Sequence, residues 1–146
     1  MELGSGRSPI LKTVLVWACL LMAGCAQERP PQHFDTSMLG ASATGVFVEA
    51  SQWWESRLAD DSLFDFSDDR PVTGVATFGP LPIAYKAYFH ARDGGGDIVF
   101  SNNPDLWAEP DCLLHAAAHE LGHALGFPHS SDPTDIMYTY QDCTPP

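Results

Sequence analysis

The sequence predicts an α+β fold, and three features of its pattern carry that prediction. Apolar residues recur at helical spacing from about residue 42 to 58. Several short β-like runs, separated by turn residues, follow as far as about residue 100. A second helical stretch then opens near Asp111 and ends at Gly126. A helix, then a group of strands, then another helix is an α+β order.

The first residues are not read as fold. Arg7 and Lys12 precede the apolar run Val14–Ala23, which is too short to span a bilayer comfortably. The run ends in Leu21-Met22-Ala23-Gly24-Cys25, which resembles a bacterial lipobox, with Met22 where Leu is commonest. In such a signal, residues 1–24 are removed and a lipid is attached to Cys25. The alternative is an ordinary signal peptide with an incidental cysteine. Both mean export. Ala26 in place of Asp resembles Gram-negative lipoproteins of the outer membrane, so membrane attachment is expected through Cys25. No other stretch is apolar enough to be a transmembrane helix. Residues 25–40, with Pro30-Pro31, read as a flexible tether. Residues 41–146 are expected to form one domain, as the length of 146 residues allows.

Within that domain, Phe47, Ala50, Trp54 and Leu58 share one helical face, with Val46 and Trp53 beside it. Tryptophans at this spacing read as core rather than as an aromatic binding patch. Asp60-Asp61 and Asp68-Asp69 mark turns around a short β-like Leu63–Phe66. Val72–Phe78 alternates and reads as a strand, which Gly79-Pro80 ends. Ile83–Phe89 is a further strand candidate. Asp93-Gly94-Gly95-Gly96-Asp97 reads as a flexible acidic loop before the short strand Ile98–Phe100. Asn102-Asn103-Pro104 is a turn, and Asp111 after Pro110 is a plausible N-cap. There is no internal repeat. Seven Lys plus Arg against nineteen Asp plus Glu argues against a nucleic-acid partner.

The second helix carries the chemistry. His119-Glu120-Leu121-Gly122-His123-Ala124-Leu125-Gly126-Phe127-Pro128-His129 supplies three imidazoles and a carboxylate at fixed offsets. His119 and His123 lie one above the other on a helix and can hold one ion. Gly126 can adopt a left-handed conformation and stop the helix, so that the chain turns back and His129 reaches the same ion. Three neutral nitrogen ligands with a fourth position open suit a catalytic zinc whose water has a pKa near about 7. Glu120 is placed to take that water's proton. The short form H-E-x-x-H arises by chance, whereas the extended form H-E-x-x-H-x-x-G-x-x-H is specific. Met137, in Asp135-Ile136-Met137-Tyr138, follows at a short distance.

Cys19 lies in the predicted signal and Cys25 at its end. Cys112 and Cys143 remain as an even pair in an oxidising compartment, either as a disulfide or as two free thiols. A bridge closing about thirty residues stabilises by roughly 3–4 kcal/mol in the chain-entropy model.

These residues resemble the matrixin branch of the metzincin zinc metallopeptidases. The match is closest from Gly95 to Tyr138. It includes Gly95–Phe100, the stretch Ala117–Gly126, Ser130 after the third His, and Tyr138 directly after Met137. Thr139 stands where astacins and serralysins place a zinc-binding Tyr, and His129 where snapalysin-like enzymes place Asp. Both argue against those branches. The resemblance implies a short mixed twisted sheet, an N-terminal helix and a central zinc-binding helix. It implies zinc on His119, His123 and His129, Glu120 as general base and proton shuttle, and Met137 as a supporting Met-turn. It also implies a protein or peptide substrate that adds to the edge strand at 83–89.

Several positions depart from the family. The first strand before the helix is expected to be short or missing, and the family's C-terminal helix absent. Lys86 and Val99 replace two histidines of a second, structural zinc site, so one catalytic ion is expected. Asp93 and Asp97 offer hard oxygen donors for calcium, or form a solvated loop. His115, four residues before His119, reads as a spare ligand, as a solvated first-turn residue, or by resemblance as the base of a substrate pocket. Tyr138 and Tyr140 are the other pocket candidates. His33 and His90 read as surface residues. The leading expectation is a zinc endopeptidase; the alternatives are a catalytically silent zinc- and peptide-binding surface module and a zinc hydrolase of a non-peptide substrate.

Overall fold

The computed structural model describes residues 30–67, 69–139, 143 and 146. Cys25 and Tyr140 lie outside the described residues. The element order is β1 (Gln32–Asp35), α1 (Ala41–Leu58), β2 (Phe64–Asp65), β3 (Gly74–Gly79), β4 (Ala87–Arg92), β5 (Gly95–Ser101), a 3-10 turn (Pro104–Trp107) and α2 (Pro110–Ala124). The strands form one mixed sheet in the order β2-β1-β3-β5-β4. All neighbours run parallel except β4, which is antiparallel to β5. The fold is therefore α+β, with a five-stranded mixed sheet and two helices. Among the described residues, no helix is long and apolar enough to cross a membrane.

The core lies between the sheet and the helices. Phe47 of α1 is at its centre, edge-on to Phe34, Phe66 and Phe100 at centroid distances of 5.4, 6.2 and 6.3 Å. Each such pair adds about 0.5–1.5 kcal/mol beyond its area burial. Ala116, Ala117 and Ala118 are fully buried on α2. Their small side chains let α1 approach closely enough for the Trp54 indole N–H to donate to the Ala118 carbonyl at 2.7 Å. Trp54 is thus core, as its spacing predicts. Leu58 is not: it is 41% exposed, because the buried face of α1 runs through Phe47, Ala50, Ser51 and Trp54 and ends before the last turn.

Further expectations are corrected. The tether is shorter than residues 25–40, since Gln32–Asp35 is a strand with a buried Phe34, and Leu39 is buried too. Its ladder partners are distant: Gln32 N–H donates to Leu63 O, and Thr73 N–H to His33 O, both at 2.8 Å. His33 is correspondingly buried, not a surface residue, while His90 is exposed. The edge strand begins at Ala87 rather than Ile83, which is 90% exposed. Pro80 and Pro82 lack the N–H that a ladder needs, and Tyr85 N–H instead closes a turn on Pro82 O.

The Asp93–Asp97 stretch is a tight hairpin rather than a flexible loop. Arg92 pairs with Gly95 across the Asp93-Gly94 turn, and Gly95, Gly96 and Asp97 belong to β5. Asp97 accepts from Val75 N–H at 2.9 Å and from Arg92 at 2.7 Å, both through one carboxylate oxygen. That commitment leaves the calcium expectation at Asp93 and Asp97 without support. Helix α2 begins one residue before Asp111. Pro110 opens it with φ preset, Glu109 is the N-cap, and Asp111 sits in the first turn, where its charge faces the helix dipole.

Candidate metal centre and cleft

Helix α2 ends as a Schellman motif. Gly126 has φ 88°, its N–H donates to His123 O, and Phe127 N–H donates to Gly122 O, both at 2.9 Å. This reversal returns the chain toward the helix. Phe127 then stacks on Trp54 at 5.0 Å with the planes 11° apart, which holds the returning segment against α1. His129 arrives beside the two helical histidines. The donor atoms of His119, His123 and His129 lie within 4.8 Å of one another.

The hydrogen bonds decide which nitrogens are free. His119 Nδ1 is 2.7 Å from the Ile136 carbonyl, and His123 Nδ1 is 2.9 Å from the Phe127 carbonyl. A carbonyl only accepts, so both Nδ1 atoms carry the hydrogen and both Nε2 atoms present lone pairs. His123 Nε2 and His129 Nε2 are 3.1 Å apart. Two nitrogens bound to one tetrahedral zinc at about 2.0–2.1 Å stand about 3.3 Å apart, so the spacing fits. Burial lowers the His119 pKa to about 4 and also lowers that of His123. Both rings are therefore neutral at physiological pH, the form that ligates metal. The donor set, its tautomers and its protonation fit zinc.

The loop after His129 supports the centre. Met137 is buried beneath α2, and its segment is bonded at both ends. Ser130 N–H donates to Met137 O at 2.8 Å, and Asp135 Oδ1 accepts from Met137 N–H at 2.9 Å. Ile136, next in the chain, carries the carbonyl that orients His119. One loop thus orients the His119 ring and anchors the backbone next to His129. Met137 was singled out from the sequence; Gly122, Asp135 and the Ile136 carbonyl were not. A Cβ on Gly122 would run into the Met137 sulfur and lie 2.7 Å from Trp54 Cζ2. A glycine inside a helix, costing about 1 kcal/mol against alanine, was the available signal for Gly122.

Glu120 is 3% exposed and lines a cleft of about 580 Å³ together with the three histidines. The opposite wall is the segment before β4 and β4 itself, from Ala84 to Phe89. Among the described residues, edge strand β4 is bonded to β5 on one side only. Of the candidate pocket residues, His115 is buried and Tyr138 half-buried, and the neighbouring Thr139 lines the cleft. Cys112 and Cys143 are joined as a disulfide with Cα atoms 4.2 Å apart.

The family profile described as Matrixin matches residues 42–145. Human matrilysin is 46% identical over 72 residues, covering 46% of this chain and 27% of that protein. Human matrix metalloproteinase-16 is 45% identical over 83 residues, covering 51% of this chain and 13% of that protein. Human neutrophil collagenase is 36% identical over 77 residues, covering 51% and 15%. The chain spans between 13% and 27% of the length of these relatives. With the profile matched over most of the chain and the three histidines converging as that family requires, the chain belongs to the matrixins, a family of zinc-dependent metalloendopeptidases.

Proposed function

We propose that this protein is itself an active zinc endopeptidase acting on protein or peptide substrates. The observation that carries the reading is the meeting of three convergent imidazole nitrogens with the buried Glu120 on the floor of a cleft. Bound by His119, His123 and His129, zinc supplies a Lewis acid that lowers the attacking water's pKa to about 7 and polarises the scissile carbonyl. Glu120 takes the proton from the attacking water and delivers it to the leaving amine. The Ile136 and Phe127 carbonyls keep His119 and His123 in the ligating tautomer through the cycle. The outer edge of β4 pairs with the extended substrate backbone by main-chain hydrogen bonds. That pairing lays the peptide across the cleft, with its scissile bond over Glu120. The lipobox at residues 21–25 supports export and attachment to the bacterial envelope through Cys25.

The test is cleavage of a diverse peptide library by the full chain and by its Glu120→Gln variant, with zinc content measured on both. Cuts made by the parent and lost by about 100-fold or more in the variant, at equal zinc, are expected. If both proteins hold one zinc and cut nothing, the chain is a zinc- and peptide-binding module instead. Labelled fatty acid incorporated by the parent and not by Cys25→Ser is the expected result for the anchor; equal incorporation refutes it.

A further inference from the structure

The segment between β3 and β4 is a loop with a closed neck. Gly79 O accepts from Asn102 N–H at 2.9 Å, and Lys86 O accepts from Ser101 N–H at 2.7 Å, so consecutive N–H groups at the end of β5 hold both of its ends. Inside the neck, Pro80 and Pro82 each fix a φ angle, and Tyr85 N–H closes a turn on Pro82 O at 2.8 Å. Residues 80–85 carry no charge, in a chain whose net charge is -12. Ile83, at a corner of the turn, is 90% exposed, and Tyr85 is 55% exposed. Such corners ordinarily take Gly, Asn, Asp or Ser, so the turn itself does not call for isoleucine. Among the described residues, the exposed large apolar side chains are Met38, Leu58, Val72, Ile83, Tyr85, Tyr88 and Phe127. Tyr85, Tyr88 and Phe127 line the cleft, and Ile83 stands two residues before the first of them. Single exposed apolar residues are ordinary, whereas a cluster of them beside a cleft marks a binding surface.

We infer that residues 80–85 are a substrate-recognition arm: Ile83 and Tyr85, with Tyr88 next along the wall, receive the bulky apolar side chains of an extended, unfolded polypeptide. This rests on the peptidase reading and names the substrate class of the same cleft. A peptide paired with β4 is extended and turns alternate side chains to opposite faces. Folded proteins offer few such segments, because their strands are already paired and their large apolar side chains are buried. An unfolded chain offers both the bare backbone and the apolar side chains. The closed neck and the two prolines preorganise the arm, so little freedom is lost when it binds. Tyr85 belongs to the wall of the cleft, which favours a peptide over a lipid surface as the occupant. Neither Ile83 nor Tyr85 is assigned to the chemical step, so the arm acts on KM and not on kcat.

The experiment uses the full chain, with ribonuclease A as the probe in two forms: native, and reduced and carbamidomethylated so that it stays unfolded. Cleavage is compared among the parent, Ile83→Ser/Tyr85→Ser and the apolar control Ile83→Val/Tyr85→Phe. Binding of the labelled unfolded probe is compared between Glu120→Gln with and without the two Ser substitutions. The unfolded form should be cut with a kcat/KM about tenfold or more above the native form. The Ser double variant should raise KM and Kd by about fivefold or more, with kcat within about twofold and one zinc retained. The apolar control should keep KM within about twofold of the parent. Arm-dependent binding of the unfolded probe without any cleavage would sink the peptidase reading and leave this inference standing. Cleavage with KM and Kd indifferent to the Ser substitutions would do the reverse. Equal cleavage of the two forms of the probe, or a fall in kcat alone, also overturns it. So does binding to phosphatidylcholine vesicles that the Ser substitutions abolish while KM is unchanged, which would assign the arm to a lipid surface.

Discussion

Two Gly→Ala substitutions, one in each helix, are expected to act with opposite sign. Gly45 lies in α1 with nothing within 4 Å of an added Cβ. There the methyl group meets no neighbour, and only the helix propensity counts, so Gly45→Ala should stabilise by about 1 kcal/mol. Gly122 in α2 gains the same propensity but meets two side chains. Trp54 is the rigid one, held by its bond to Ala118 O and by its stack on Phe127. Met137 must therefore move. Overpacking of this kind costs about 1–3 kcal/mol. With two contacts closer than real Cβ atoms tolerate, the upper part of that range applies. Setting about 3 kcal/mol against the 1 kcal/mol gained leaves a net loss of about 2 kcal/mol. For a domain near 100 residues, a loss of that size lowers Tm by roughly 8–16 °C, and the gain at Gly45 raises it by roughly 4–8 °C. The displacement also has a chemical consequence. Ile136 precedes Met137, and its carbonyl orients His119. Loss of such a supporting bond costs about 10–100-fold in metal affinity. Thermal melts of the chelated proteins and competitive zinc titration of both variants test this. A Gly122→Ala protein that melts higher than the parent and binds zinc equally well would refute the packing argument.

The metal-free protein should lose stability as pH falls from about 6.5 toward 4. His119 is neutral in the fold down to about 4, whereas the unfolded chain takes up that proton near 6.5. The loss is about 3 kcal/mol once pH reaches 4, with His123 adding in the same direction. Carboxylates such as Asp35 and Asp132, held low by hydrogen bonds from Ser37 and Thr134, add their losses only at lower pH. Urea melts of chelated protein at pH 7, 5.5 and 4.5 read the effect, and a flat profile would contradict a neutral buried His119. Ala59 ends α1 at φ 52°, where alanine is strained by about 1 kcal/mol relative to glycine. Ala59→Gly should therefore raise Tm by a few degrees, and a fall would mean that its Cβ contributes packing worth more than the strain. Asp135→Ala removes the acceptor for Met137 N–H and should weaken zinc binding without changing the sheet. Unchanged affinity in a chelator competition would separate the Met-turn from the metal site.

Legibility in the sequence followed the range of the interaction. The offsets of His119, His123 and Gly126 are set by one helix and its terminator, so local geometry alone predicts that they converge. Burial of Trp54 is likewise written in the period of α1. Strand β1 was unreadable for the opposite reason. Four residues carry almost no pattern, and Phe34 and His33 owe their burial to Phe47, Leu63 and Thr73, all distant in sequence. The edge strand was misplaced because aromatic content at 83–89 outweighed the turn signal of Pro82, where Tyr85 N–H closes on the Pro82 carbonyl. At Asp97, a carboxylate near a glycine run reads as a cation site until Val75 and Arg92 are found on it.

The same division runs through the candidate site. The ligands were legible because metal chemistry prescribes their spacing, whereas the groups that orient them were not. Ile136 and Phe127 act through carbonyls, which every residue has, so no side-chain pattern reports them. Gly122 acts through an absent atom, and Trp54 through a stack on Phe127, beyond the end of α2. What ties these together is steric. A bare Gly122 admits Met137 and Trp54 to the same point on α2. From there, Met137 sets the carbonyl on His119, and Trp54 sets the Phe127 segment whose carbonyl holds His123. The orientation of both helical histidines thus depends on the absence of one methyl group, and for that reason Gly122, rather than any ligand, is the most informative position to change.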